Sequence, residues 1–274
     1  ITAHDLAELM VGSELPTPET RESTVSDEVA LELRDLTVRN EDGRQAVHDI
    51  NLRIHRGEIV GIAGVEGNGQ SELVDAIIGT ADISSVSLEF LGRNITYESG
   101  LKRREAGLAY VPEDRHYEGL LLSSPLWENA ALGHQTQAPF GSAWWLDRGG
   151  GREQTERIRK QFDVRTPNID VSAHALSGGN QQKLIIGREL TSNPEVLVAA
   201  HPTRGIDVGA QAAVWDDIRA ARRNGLATLL ISADLDELIG LSDRIVVMLR
   251  GRLVAELDPA ELTPRILGCL LYTS

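Results

Sequence analysis

A chain of 274 residues with 41% hydrophobic content is long enough to bury a proper core, as one large α/β domain or a domain with a subdomain. Acidic residues number 41 against 27 basic ones, and the net charge of -14 repels nucleic acid phosphates and anionic lipid head groups, which disfavours a nucleic acid partner. The one cysteine, Cys269, excludes an internal disulfide framework or a cysteine metal site and fits a reducing compartment, with the cytosol as the default expectation.

No apolar run approaches the roughly 20 residues needed to cross a bilayer. The first residues lack the basic and apolar regions of a signal peptide, so membrane contact is expected only through a partner. Thr2, Leu6, Leu9 and Met10 recur in spacing at Thr263, Leu267, Leu270 and Leu271. That short repeat predicts that residues 1–12 are the last turn of a preceding similar domain and that this chain is the second half of a tandem protein; a chance match of one amphipathic helix accounts for it equally. The end from Leu271 to Ser274 has no evident structural logic and reads as a truncation or a non-native end.

Residues 13–28 are rich in Pro, Ser, Thr and Glu and read as a linker, so the folded domain is expected from Val29. Alternation at Leu31 and Leu33, and again at Ile50, Leu52 and Ile54, predicts half-buried strands. The continuous apolar run Ile59 to Ala63 predicts a strand covered on both faces. It enters a loop with glycines at 64, 67 and 69, after which Ser71 to Ile78 has helical spacing and stops at Gly79. Further buried strands are predicted at Leu108–Val111, 196–200, 227–231 and 245–248, with helices between them, which argues for a mostly parallel sheet wrapped by helices. The stretch from about Asp114 to Ala175 breaks the rhythm, with Gly149 to Gly151 and a charged helical run from Arg152 to Phe162, and is read as a separate helical subdomain.

The glycine loop lets consecutive backbone N–H groups converge on phosphate oxygens, while the helix start adds partial positive charge. The usual pattern, G-x-x-x-x-G-K-S/T, has a lysine that reaches the β and γ phosphates and a hydroxyl that ligates magnesium. Here Gln70 stands at the lysine position and Ser71 at the hydroxyl position. Losing the charge-assisted contact costs about 1.5–3 kcal/mol, or roughly 10–100-fold in affinity. Taken alone the loop is equally well read as a tight turn. The second element is more specific: Leu176-Ser177-Gly178-Gly179-Asn180-Gln181-Gln182-Lys183 places a serine and two glycines at a helix start, again an anion-facing terminus.

Read with Pro202-Thr203-Arg204-Gly205-Ile206-Asp207 downstream, these elements resemble the ATP-binding cassette family, whose signature is LSGG, over nearly all of residues 29–258. The resemblance implies a P-loop NTPase-like α/β fold with a mainly parallel core sheet, an antiparallel β subdomain, a helical signature subdomain at about 114–190, and a C-terminal tail at 259–274. It implies that Gly64, Gly67, Asn68, Gly69, Gln70, Ser71, Glu72 and Glu113 belong to this chain's own ATP and Mg2+ site, with Ser71 a weak metal ligand. Ser177, Gly178, Gly179, Asn180 and Asp207 would serve the site of a partner cassette, because in the family each ATP is sandwiched between two cassettes.

Against the family pattern, the acidic pair at the end of the buried strand is replaced by Ala200 and His201. The histidine switch is Ala233, the glutamine loop matches Glu113, and no aromatic occurs between Val29 and Ala63 to stack on adenine. Because a water-positioning group contributes about 10²–10⁴-fold, turnover at the Gln70 site is expected to be negligible. His201 reads as a strand-end histidine packed beside the turn or, less favoured, as a base; Asp207 as a partner contact or a turn-stabilising residue. Trp144 and Trp145 read as the small core of the helical subdomain in preference to an exposed patch, Arg103, Arg104 and Arg115 as a solvated face, and the helix from Ala210 to Arg223 as scaffolding.

The strings GVEGNGQSEL, AYVPEDR, LSGGNQQK and AAHPTRGIDVGA look closest to the C-terminal cassette of importers for simple sugars and nucleosides, and the two lost acids lean toward the nucleoside branch. What this resemblance implies is a peripheral protein at the cytoplasmic face of the inner or plasma membrane. Its partners would be another cassette, two membrane permease subunits and, indirectly, a substrate-binding protein. A regulatory or DNA-maintenance ATPase, or a nucleotide-sensing module without transport, would share the signature; the charge and the lack of a coiled-coil insertion argue against DNA work.

Overall fold

The structure is a computed structural model describing residues 23–272 except 41, 82, 84–86 and 143. The expectations placed on residues 1–22 and on Thr273 and Ser274 lie outside the described residues. In chain order the elements are β1 (Val29–Arg39), β2 (Gln45–His55), β3 (Ile59–Ala63), α1 (Gln70–Ile78), β4 (Ser87–Phe90), β5 (Arg93–Asn94), α2 (Gly100–Glu105) and β6 (Leu108–Val111). Then come α3 (Leu126–Ala131), α4 (Arg148–Gln161), α5 (Gly178–Leu190), β7 (Val196–Ala200), α6 (Val208–Arg223), β8 (Ala227–Ile231), α7 (Leu235–Leu241), β9 (Arg244–Leu249), β10 (Arg252–Leu257) and α8 (Pro264–Tyr272).

The chain divides into two compact units. The sheet-bearing unit takes described residues up to Tyr110, Glu195–His201, and those from Arg219 on. In β2 the residues Val47, Ile50, Leu52 and Ile54 face inward while Asp49, Asn51 and Arg53 stay exposed, the alternation of a half-buried strand. Strand β1 keeps its apolar face by a change of phase: Leu31 and Leu33 pair with Ile54 and Leu52, then a register shift brings Leu36 opposite Ile50. The shift sits at Asp35, whose φ of 48° marks a bulge, so the inward positions change from odd to even numbers without exposing a leucine. The antiparallel sheet has the order β2-β1-β4-β5.

The second sheet has the order β10-β9-β3-β8-β7-β6, with β3 parallel to both neighbours and β8 parallel to β7. All five residues of β3 are buried, as the apolar run predicts. The register places Ile62 opposite Ile231, and Ala200 opposite Ile231 from the other side, so the glycine loop, His201 and Ala233 all lie just past the carboxyl ends of neighbouring strands. In an open parallel sheet that edge is where ligands bind. Before β1, the Thr24 hydroxyl and the Ser26 N–H already bond the backbone of Gly57 and Arg56.

The helical unit comprises Val111–Pro194 and Pro202–Ile218. Its helices α4 and α5 approach closely at Gly187, where an added Cβ would lie 2.6 Å from Ile158 and 2.8 Å from Phe162. Two expectations are corrected here. The helix read from Arg152 begins earlier, at Arg148, so Gly149 to Gly151 lie in its first turn, where the Asp147 carboxylate accepts a hydrogen bond from the Gly150 N–H at 2.9 Å. Trp144 and Trp145 are 87% and 81% exposed and are no part of a core. The Ser142 N–H bonds Trp145 O at 2.9 Å beside them, and the buried aromatics of this unit include Phe140 and Phe162 instead.

Arg103 is a third correction, since it is buried and not on a solvated face. Its guanidinium donates to the carbonyls of Ile77 (2.8 Å), Thr96 (2.8 Å), Glu98 (2.9 Å) and Ala76, closing the end of α1 whose last carbonyls have no helical partner. Replacing it by methionine keeps the stem and strands these acceptors. Arg103→Met is expected to lower stability by about 2–4 kcal/mol, read as a fall in denaturant midpoint at constant slope.

On β1, Glu32 accepts from Arg53 at 2.6 Å and Arg34 at 2.8 Å, and hydrogen bonds from these guanidiniums hold its carboxyl down at about 2. A depressed carboxyl pKa stabilises the fold above the unfolded value and loses that contribution as pH falls through the folded one. Glu32→Gln is therefore expected to melt below the parent at neutral pH, with the gap between them closing as pH falls from about 4.5 toward 2. A gap that stays constant over that range would contradict the ion pair's role.

Candidate functional site

In the sheet-bearing unit the glycine loop leaves β3 and enters α1 with Gly67 and Gly69 at φ of 85° and 101°. An added Cβ at Gly69 would lie 2.5 Å from the Ala46 carbonyl, so glycine is required there on both counts. Asn68 ties the loop to the β9–β10 turn: its side-chain oxygen accepts from the Arg250 N–H and its carbonyl from the Gly251 N–H, each at 2.8 Å.

The Gln70 side chain is buried and turned back into the loop. Its Nε2 donates to Val65 O and its Oε1 accepts from the Asn68 N–H, both at 3.1 Å. One of the backbone donors that would face a phosphate is thus bonded by the residue standing at the lysine position. Ser71 is exposed and Glu72 half-buried in the first turn of α1.

At the neighbouring strand ends, Ala200 is buried and offers no ligand. His201 adopts φ 47°, a left-handed conformation that histidine tolerates better than most side chains, and its N–H donates to Ile231 O at 2.8 Å. Ala233 is exposed. Beside it the Ser232 hydroxyl donates to buried Glu237 at 2.7 Å, and Asp234 caps α7. Among the described residues no group of three or more His, Cys, Asp or Glu is placed to hold a metal ion. Of the groups that the resemblance expects around Mg2+, the chain supplies the exposed Ser71 hydroxyl, while Ala200 offers none.

In the helical unit Ser177 is the N-cap of α5 and is exposed. Gly178 and Gly179 begin the helix in close contact with their surroundings: an added Cβ at Gly179 would lie 2.7 Å from Ala210 Cβ, and one at Gly178 would lie 2.9 Å from Arg115 Nη2 and displace that guanidinium. Their N–H groups belong to the first turn, which has no intrahelical acceptors. Asn180 donates from Nδ2 to Ser177 Oγ at 2.9 Å. Asp207 accepts from the Ala210 N–H at 2.9 Å, a local capping contact at the start of α6.

Arg115 corrects the expectation of a solvated arginine: it donates to Arg204 O at 2.7 Å and Gly205 O at 3.3 Å, bracing the 204–205 turn beside Gly178. Glu113 pairs with Arg204 on a cleft of about 430 Å3 that also involves Asp114 and His116. Sequence spacing had no means of finding the Arg115 brace, because its partners lie 66 to 90 residues away.

Residues 47–204 match the family described as ABC transporter. The chain is 41% identical over 270 residues to the guanosine import ATP-binding protein NupO of Bacillus subtilis, covering 98% of this chain and 53% of that protein. It is 39% identical to the nucleoside import ATP-binding protein NupA of Lactococcus lactis, again over 98% of this chain and 53% of that one. The ribose import ATP-binding protein RbsA 2 of Streptomyces coelicolor is 38% identical over 94% of this chain and 49% of its own length. The chain spans about half the length of the curated relatives it matches. Among solved structures, the ADP conformation of MJ1267, an ATP-binding cassette of an ABC transporter, aligns with a TM-score of 0.71 at 22% identity over 88% of this chain and 95% of that one, which shows a shared fold. With the glycine loop after a buried parallel strand, the serine-capped LSGGN helix and a family match over more than half its length, the chain belongs to the ABC transporter family of ATP-binding cassettes.

Proposed function

We propose that this chain is the second cassette of a tandem ATP-binding subunit in an importer for simple sugars or nucleosides. Its own nucleotide site is degenerate, and its Ser177 helix completes the ATP site of the partner cassette. The observation that carries this reading is the contrast between the loop before α1 and the start of α5. The α1 loop is closed on itself by a neutral Gln70, while the α5 start keeps an exposed serine and two first-turn glycine amides. The relatives' names, guanosine, nucleoside and ribose import, support the cargo class, and the replacement of both strand-end acids by Ala200 and His201 leans toward nucleosides.

Bound at α5, a nucleotide would bring the phosphate charge whose transfer the complex exploits. Ser177 Oγ–H and the Gly178 and Gly179 N–H groups would donate to it and fix its orientation. At the Gln70 loop, backbone amides remain for weak anion binding, while Ala200, His201 and Ala233 stand where the resemblance places the acidic pair and the histidine switch. The partners implied by this reading are another cassette, two membrane permease subunits that the Glu113 region faces, and a substrate-binding protein acting on those permeases. It places the chain at the cytoplasmic face of the membrane. Asp207 would meet the partner cassette through whatever its capping contact leaves free.

In the full two-cassette polypeptide with its permease, Ser177→Arg is expected to cut ATPase activity and guanosine or ribose uptake by about 10²-fold or more, the cost of removing a donor from a charged transition state. Unchanged turnover would contradict a role in the neighbouring site. In the chain alone, Gln70→Lys restores a charge but no water-positioning group, so phosphate release in the presence of Mg2+ should stay at background; hydrolysis gained by that single change would show the site to be intact.

A further inference from the structure

Asn180 sits between the signature serine and a turn that no part of the motif includes. Its Oδ1 accepts from the Arg165 N–H at 2.7 Å and its Nδ2 donates to Ser177 Oγ at 2.9 Å. Because a backbone N–H can only donate, the atom facing Arg165 must be the amide oxygen, which leaves the NH2 to face the serine. Ser177 Oγ also lies 3.5 Å from the Asn180 N–H. The serine oxygen is therefore approached by donors on its inner side. Its proton has no acceptor there and is turned toward solvent.

The turn that holds Asn180 is itself pinned. Asp163 takes a left-handed φ of 47° after the end of α4. One helical turn past Asn180, Lys183 donates to Asp163 O and Oδ2, both at 3.2 Å. The Val164 N–H bonds Arg159 O at 2.9 Å. Two contacts three residues apart on one face of α5 thus staple the 163–165 turn to the helix start. A non-glycine residue in that conformation persists where its surroundings over-determine it.

We propose that Asn180, held by the Arg165 N–H, is a positioning residue that presents the Ser177 hydroxyl as a hydrogen-bond donor to a phosphate oxygen, with Asp163 and Lys183 fixing the turn that supports it. The proposal rests on the reading of Ser177 as part of a partner's nucleotide site. It adds that Asn180 acts through the serine and need not touch the nucleotide.

An isosteric change tests this. Asn180→Asp keeps an oxygen for the Arg165 N–H but replaces the NH2 by an acceptor, which draws the serine proton inward. In the full two-cassette protein with its permease, Asn180→Asp is expected to lower kcat by about tenfold or more, as Ser177→Ala does, with an unchanged melting temperature. Repulsion between the new carboxylate and phosphate is screened by salt, whereas the lost hydroxyl contact is not, so most of the deficit should survive at high ionic strength. In a Ser177→Ala background, Asn180→Asp should cost little more than the part that salt removes. Asn180→Ala provides a neutral companion, expected to fall between the parent and Ser177→Ala.

If Ser177→Ala is impaired while both Asn180 variants turn over at the parental rate, positioning by Asn180 is overturned and the signature reading survives. The same holds if Asn180→Asp costs as much without the serine as with it. If Ser177→Ala itself is harmless, both ideas fall together.

Discussion

The N–H groups of a glycine loop and of a first helical turn need partners from outside the helix, and the loop before α1 and the start of α5 differ in what this chain supplies. In the loop before α1, Gln70 takes both the Val65 carbonyl and the Asn68 N–H, while no side chain caps the helix itself. At α5 the serine cap is exposed and the Gly178 and Gly179 N–H groups belong to the first turn, which has no intrahelical acceptors. A charged lysine at position 70 would offer donors alone. The amide, with one donor and one acceptor face, closes the loop as a neutral side chain can.

The scaffold around these starts has kept its geometry while the reactive side chains differ. Strand β3 is buried between two parallel neighbours, and the register of β7, β8 and β3 still brings Ala63, Ala200 and Ile231 to one edge. That edge carries a buried alanine at the end of β7, a histidine held in a left-handed backbone, and Ala233 before a capped helix. A parallel sheet buried on both faces is maintained by packing, so its geometry does not depend on which side chains stand at its edge. In the helical unit the constraint at Gly179 is steric: Ala210 Cβ would lie 2.7 Å from an added Cβ, so this glycine serves the fold as well as any ligand.

Much of this was legible where the controlling contacts are local. The run Ile59 to Ala63, the glycines after it and the stop at Gly79 specify a strand, loop and helix from neighbouring residues, and Leu176 to Lys183 specifies a capped helix. Legibility failed where a contact reaches across sequence. Arg103 closes α1 from 26 residues away, and nothing in the Lys102 to Arg104 run distinguishes it from exposed neighbours. The helical run is legible only from Arg152, because the glycines at 149 to 151 have poor helix propensity, whereas the Asp147-capped helix starts at Arg148. Adjacent tryptophans read as core from their size, while both stand exposed and Phe140 and Phe162 are buried instead. Strands β4, β5 and β10 escaped notice, the first two because they are short and β10 because it lies at a sheet edge. The coupling of Asn180 and Lys183 to the 163–165 turn depends on Asp163 entering a left-handed conformation, for which an aspartate after a helix is only a weak signal.

On the function we propose, the nucleotide that is hydrolysed sits on another cassette and leans on the α5 of this one. The most direct test is photolabelling of the full two-cassette protein with azido-ATP and Mg2+, then mapping of the labelled peptides. The account predicts label concentrated in the other cassette, diminished by Ser177→Arg, with little on the Gly64 to Ser71 peptide of this chain. Predominant labelling of that peptide, insensitive to Ser177, would contradict it.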